Sequence, residues 1–145
     1  MTIQVEIVTP SRQLYSGEVE MITMPGVEGE MGVLAGHAPL LTTLNIGEIT
    51  LHNAGGEPEY IAVSGGVVEV LPDKVIVMAR SAERADEIDI ARAEEALQRA
   101  EEALRTRPDE DRQPVEIAYR RSQLRLKVAR RRRRTRPGVF VEDEG

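Results

Sequence analysis

Residues 64–105 read SGGVVEVLPDKVIVMARSAERADEIDIARAEEALQRAEEALR, and the pattern changes character halfway along. Val67 to Leu71 and Val75 to Met78 are dense apolar runs, the pattern of strands buried on both faces. Pro72-Asp73 separates them as a turn. From about Ala82 the composition shifts to Ala, Glu, Arg and Leu, all strong helix formers. Ala93, Ala96, Leu97, Ala100, Ala103 and Leu104 recur at spacings of three and four, which gives residues 87–105 one apolar face. Asp86 or Asp89 stands where an N-cap belongs. Glu95 with Arg99, and Glu101 with Arg105, are spaced to pair on the helix surface.

Towards the N-terminus the texture stays β. Ile3, Val5 and Ile7 alternate with polar neighbours, as do Val19 with Met21 and Ile49 with Leu51. Turn signals occur at Ser16-Gly17, Pro25-Gly26, Asn53 to Gly56 and Ser64-Gly65-Gly66. Short strands broken this often predict an antiparallel sandwich or barrel. Towards the C-terminus, Pro108 and Pro114 bracket the polar loop DEDRQ. A second helix is then predicted over about Val115 to Arg133, with Val115, Ala118, Tyr119, Ser122, Leu126 and Ala129 on one stripe. Two helices this close form an antiparallel hairpin, since neither is stable alone in water. Residues 135–145 read as a flexible tail.

Composition narrows the functional classes. The chain has 145 residues, no Cys and no Trp, with aromatics at 3%. That excludes a disulfide framework, a thiolate zinc site and a cysteine nucleophile, and it requires an aliphatic core. No apolar run is long enough to span a bilayer, and MTIQVEIVTP lacks an export signal, so a soluble chain of the cytoplasm is expected. The net charge of −6 is unevenly spread. Residues 1–85 hold eleven acids and four bases, whereas Tyr119 to Arg136 holds ten bases and no acid. Two regions with different partners follow.

Gly29 to Thr42, GEMGVLAGHAPLLT, is rich in Gly and Pro between β segments, with Glu30 and His37 as its polar groups. One His and one Glu without a nucleophile or further metal ligand make neither a triad nor a zinc site. A loop or interface is the stronger reading, and no catalytic or metal-binding residue is assigned. This segment, extended as GEMGVLAGHAPLLTTL, resembles the epsilon subunit of the bacterial F-type ATP synthase. SGGVVEV at Ser64–Val70, VTPSRQLYSGEVEMITMPGVEG at Val8–Gly29 and IDIARA at Ile88–Ala93 resemble the same family, in order, over roughly residues 3–130. Ala35 stands where many members have Pro. The run Arg130–Arg134 and the tail beyond it are more basic and longer than usual.

The resemblance implies an α+β chain. An N-terminal antiparallel β-sandwich (residues 1–85) precedes a C-terminal two-helix antiparallel hairpin (residues 86–134) and a tail. It implies a non-catalytic central-stalk subunit of a proton-translocating ATP synthase, bound to the cytoplasmic face of the cell membrane only through the complex. The partners implied are the gamma subunit, the c-ring and the catalytic beta and alpha subunits, with Glu28, Glu30 and His37 facing the c-ring.

In the hairpin, Asp89, Arg92 and Arg99 share a helix face, and Arg121 and Arg125 lie one turn apart. An antiparallel reversal near residues 109–110 sets Arg99 opposite Arg121 and Arg92 opposite Arg125. Four guanidiniums gathered in this way attract an anion, unless each pairs with a glutamate of its own helix. In relatives that bind ATP on the hairpin, the site is built on the motif matched here by Ile88, Asp89, Arg92 and Ala93. Glu83, Arg99, Arg121 and Arg125 match its supporting positions. Regulatory ATP is thus implied, no cofactor is required, and no glycine-rich phosphate loop for hydrolysis is present.

Arg120, Arg121, Arg125, Lys127, Arg130 and Arg131 are the implied inhibitory contact with the catalytic subunit. Two rivals are a stand-alone ATP-sensing module and a nucleic-acid-binding protein using the arginine run. With Tyr119 its one aromatic, the basic segment lacks a stacking platform for bases, so nucleic acid is not expected as a partner.

Overall fold

The computed structural model describes residues 1–106 and 112–144, with side chains through Arg131. The chain divides into two compact units, Met1–Arg84 and Ala85–Gly145.

The first unit is a β-sandwich. Its strands are β1 (Ile3–Val8), β2 (Gln13–Val19), β3 (Met21–Gly26), β4 (Gly29–Val33), β5 (Leu40–His52), β6 (Glu59–Leu71), β7 (Lys74–Ala79) and β8 (Ala82–Arg84). They join in the order β2-β1-β7-β6-β5-β3-β4, with β8 also on β6. All neighbours are antiparallel except β1 and β7, which run parallel. The two layers arise because β5 and β6 are long. They stay paired in one register from Leu40↔Val70 to Leu51↔Glu59, apart from Asn45 and Gly65. There the sheet bends. Gly65 and Gly66 take φ of 91° and 146°, a region open to glycine. Beyond the bend β6 exchanges its partner β7 for β8.

The core lies between the layers and is aliphatic, as composition required. Ile3, Val5, Ile7, Val68, Val70, Val75 and Val77 meet Ile22, Met24, Ile49, Leu51, Ile61 and Val63, all at most 1% exposed. Each contributes about 1.5–3 kcal/mol of burial.

Four expectations are corrected here. Ser64-Gly65-Gly66 is no turn between strands but lies inside the continuous β6. Ser16-Gly17 is no turn: Gly17 lies inside β2 opposite Val5. It is small because the Tyr15 ring covers it, and a Cβ there would stand 3.0 Å from the Tyr15 hydroxyl. Val19 and Met21 do not share a strand, since β2 ends at one and β3 begins at the other. The runs Val67–Leu71 and Val75–Met78 are buried on one face only. Their other face leaves Val67 and Ile76 half-buried and Met78 42% exposed.

The second unit opens with a 3₁₀ turn (Ala85–Glu87), followed by α1 (Ile90–Thr106) and α2 (Arg112–Glu144). Asp89, not Asp86, caps α1: its Oδ1 accepts the Arg92 N–H at 3.1 Å. Helix α2 starts earlier than Val115, and Pro114 falls in its first turn, where a missing N–H costs no helical bond. Its helical backbone runs through residues 135–144. The side chains of the expected tail lie outside the described residues, as does most of the loop DEDRQ. Helix α2 packs on α1 and on the 3₁₀ turn. Among the described side chains of α2, Leu126, Val128 and Ala129 are buried, whereas Ala118, expected on the apolar stripe, is exposed.

Candidate functional site

The hairpin carries the cationic constellation. Two contacts set its register. Arg112 Nη1 donates to the Leu104 carbonyl at 3.0 Å, and Arg130 Nη2 to Glu94 Oε2 at 3.1 Å. The midpoints of these pairs are residues 108 and 112, which brackets the reversal expected near 110. Arg99 is therefore level with Arg121. Arg92 and Arg125 both lie further towards the N-terminal end of α1.

Their surroundings differ. Arg92, Arg99 and Arg121 are exposed, and among the described residues they make no ion pair. The expected Glu95–Arg99 pair does not form, and Arg105 pairs with Glu102 at 3.2 Å rather than with Glu101. Arg125 is half-buried and already engaged within the chain. Asp89 is exposed, with one carboxylate oxygen committed to the cap. Ile88 and Ala93 are 7% and 0% exposed, so their side chains shape the turn and only their backbone could meet a ligand. Glu83 belongs to the other unit, on β8 opposite Ala62. A phosphate-rich anion suits the unpaired guanidiniums, each a planar fork of donors.

The residues of the implied inhibitory contact are unequal too. Arg120, Arg121 and Lys127 are exposed. Arg130 is held by Glu94, and Arg131 is half-buried and engaged. The side chains of residues 132–134 lie outside the described residues.

On the sandwich, Glu28 sits in the two-residue turn of the β3–β4 hairpin and Glu30 on the following edge strand, both exposed. The Val27 N–H ties that hairpin to the Thr43 carbonyl at 3.3 Å. His37 is exposed on a separate loop, whose Gly36 N–H donates to the Pro72 carbonyl at 2.7 Å. His37 Nδ1 lies 2.8 Å from the Ala38 carbonyl. Thr43 faces Val67 on β6, and Pro72 follows just past the end of that strand, so the two anchors stand five residues apart along the chain, roughly 16 Å if extended. Glu28 and Glu30 thus form one group and His37 another. Among the described residues no His, Asp and Glu cluster suits a metal, and no helix is long and apolar enough to cross a membrane.

The sequence reading missed the outer sheet face. By register Leu41, Glu69, Ile76 and Glu6 form one cross-strand row, and Thr43, Val67, Met78 and Val8 the next. Leu41 is 68% exposed. The signal was present in the unbroken apolar runs of β6 and β7, which supply residues to both faces.

Both units match known families. Residues 2–85 match the beta-sandwich domain of the ATP synthase delta/epsilon chain, and residues 86–132 its long alpha-helix domain. The ATP synthase epsilon chain of Herpetosiphon aurantiacus is 51% identical over 134 residues, spanning 92% of this chain and 98% of the relative. That of Bacillus pumilus is 44% identical over 128 residues, spanning 88% and 97%. A chain in the cryo-EM structure of the Euglena gracilis mitochondrial ATP synthase, showing OSCP, F1 and c-ring, superposes with a TM-score of 0.74 at 27% identity. The superposition covers 84% of this chain and 78% of that one. With a sandwich and a hairpin matched in the same order over nearly the whole chain, this protein belongs to the ATP synthase delta/epsilon family.

Proposed function

We propose that the chain is a rotor subunit of the central stalk of a proton-translocating ATP synthase, at the cytoplasmic face of the membrane. In this reading it is a regulator, not an enzyme. The outer face of the sandwich, with Leu41, Val67, Ile76 and Met78, docks on the gamma subunit. Apolar area of that kind on a monomer marks an interaction surface. Glu28 and Glu30 meet polar loops of the c-ring, with His37 contributing from its own loop. Acidic rim groups of this kind steer and orient association.

The hairpin regulates. Arg120, Arg121 and Lys127 give α2 an exposed positive surface that complements an acidic segment of the catalytic beta subunit, beside alpha. ATP binds the closed hairpin through Arg92, Arg99, Arg121 and Arg125, with Asp89 and the Ile88–Ala93 turn at the ribose or base end and Glu83 in support. Arg121 and Arg125 serve only one of these roles at a time, so ATP favours the closed form and relieves inhibition. Such a shift requires a difference in affinity between the two forms.

The observation that carries the reading is the set Arg92, Arg99 and Arg121, exposed on two packed helices without ion-pair partners among the described residues. The test compares ATP hydrolysis by the reconstituted complex carrying either the full chain or a chain stopped after Glu87. Faster hydrolysis with the shortened chain at low ATP supports the regulatory role; equal rates overturn it.

A further inference from the structure

Strand β8 is three residues long, and it is the last element of the sandwich before the helical unit begins at Ala85. Its ladder is Val63↔Ala82, Ala62↔Glu83 and Ile61↔Arg84. A ladder this short on a sheet edge opens readily, because few contacts are lost in opening. The stretch before it is better held. The Ser81 carbonyl accepts from the Ser64 N–H at 3.0 Å, and the Arg80 N–H donates to the Gly65 carbonyl at 3.0 Å.

A side-chain ion pair reinforces the C-terminal end of β8. Arg84 Nη2 lies 2.9 Å from Glu59 Oε1, with the two side chains 35% and 28% exposed. Glu59 and Ile61 share a face of β6, so the pair closes directly beside the last rung of the ladder. Tyr15, on β2, lies next to it. The phenol is held above its ordinary range chiefly by burial, next by the Glu59 carboxylate, with Arg84 pulling the other way. Both charges are therefore felt at a ring that packs on the core.

We propose that the Glu59–Arg84 pair, seated beside Tyr15, is a latch that holds β8 on β6 and makes residue 84 the pivot of the helical unit. When the pair opens, β8 peels back to Ser81 and its three residues join the linker, adding about 10 Å of reach at 3.3 Å per residue. The latch thereby sets how far the hairpin travels, and in that respect it rests on the reading that the hairpin changes position. A partly exposed ion pair is suited to this, being weak enough to break without loss of the fold.

The test uses the isolated full-length chain and two readouts. Amide hydrogen exchange reports β8. Spin labels at Thr43→Cys and Gln98→Cys, clean because the chain has no cysteine of its own, report the distance between the units. Glu59→Gln and, in parallel, Arg84→Gln should speed exchange at residues 82–84 roughly fivefold while β1 and β7 stay protected, and should broaden the distance distribution. The swap of Glu59→Arg with Arg84→Glu should restore both. Unchanged exchange at 82–84 in both variants overturns the latch, as does faster exchange with an unchanged distribution. Neither readout involves ATP or inhibition, so a failure here is distinct from a failure of the regulatory reading, which hydrolysis by the complex reports.

Discussion

Glu94 of α1 and Arg130 of α2 meet at 3.1 Å across the hairpin, 36 residues apart in sequence. This contact takes one arginine of the basic run away from any outside partner and marks the register of the two helices. The side chains are 47% and 56% exposed, so the pair is worth about 0.2–1 kcal/mol. Glu94→Gln should therefore lower hairpin stability by less than about 1 kcal/mol and leave helix content unchanged by circular dichroism. It should also free Arg130, and inhibition of hydrolysis should rise slightly in the complex.

Gly66 should not tolerate a side chain. A Cβ there would stand 2.3 Å from the Met78 carbonyl oxygen and 2.8 Å from Ala79 Cα, at a φ of 146°. Both neighbours are backbone of β7 and cannot give way. Gly66→Ala should cost about 2–4 kcal/mol in urea unfolding. Gly55→Ala, where no atom lies within 4 Å but φ is 66°, should cost about 1 kcal/mol.

Tyr15 should give the sandwich an alkaline limit. Its folded pKa is raised above 10.0, first by burial and then by Glu59. The neutral phenol is thus favoured in the fold. That contribution is fully present below the unfolded value and is lost as pH rises through the folded one. Stability measured by urea unfolding should fall above about pH 10, and Tyr15→Phe should flatten that decline.

Titration calorimetry of ATP into the isolated chain should show binding that weakens with salt. Arg92→Ala and Arg99→Ala should each reduce affinity about tenfold with an unchanged melting temperature, because neither guanidinium has an ion-pair partner to lose among the described residues. Arg125→Ala should also lower the melting temperature without ATP, since Arg125 is already engaged. No heat at millimolar ATP would exclude the site.

At the foot, Glu30→Lys should slow assembly of the complex and steepen its salt dependence. Glu30 is exposed on an edge strand, so the fold should change by no more than about 0.5 kcal/mol. Glu28→Lys should act with it. His37→Ala should act separately, being held by the loop tied to Pro72.

Much of this molecule was legible along the chain because the information is local. Alternation at Ile3, Val5 and Ile7, and at Ile49 and Leu51, reports a strand's buried face through its period of two. The three- and four-residue spacing of Ala93, Ala96, Leu97 and Ala100 does the same for α1. Pro114 misled the C-terminal bound of the expected loop, since it lies in the first turn of α2. The pairing of Arg99 level with Arg121, by contrast, follows from the constant index sum of any antiparallel hairpin. The arginines themselves were legible as a group. Which of them stay unpaired was not, because an ion pair depends on rotamers and on residues far away in sequence.

Tertiary structure decided the rest, for reasons that local pattern cannot carry. Gly17, Gly65 and Gly66 read as turns because glycine usually marks one. In the fold Gly17 makes room for the Tyr15 ring, and Gly65-Gly66 bends a continuous strand from one layer into the next. The parallel pairing of β1 with β7 joins segments some seventy residues apart, and no period within either strand specifies it. The dense runs of β6 and β7 disclosed that they were strands but not that one face lay open, since apolar residues on an exposed face and in a core look alike in sequence. Glu59 and Arg84 were two charges among many along the chain. Only the antiparallel ladder of β6 with β8 turned them into a partnered pair at the point where the sandwich ends.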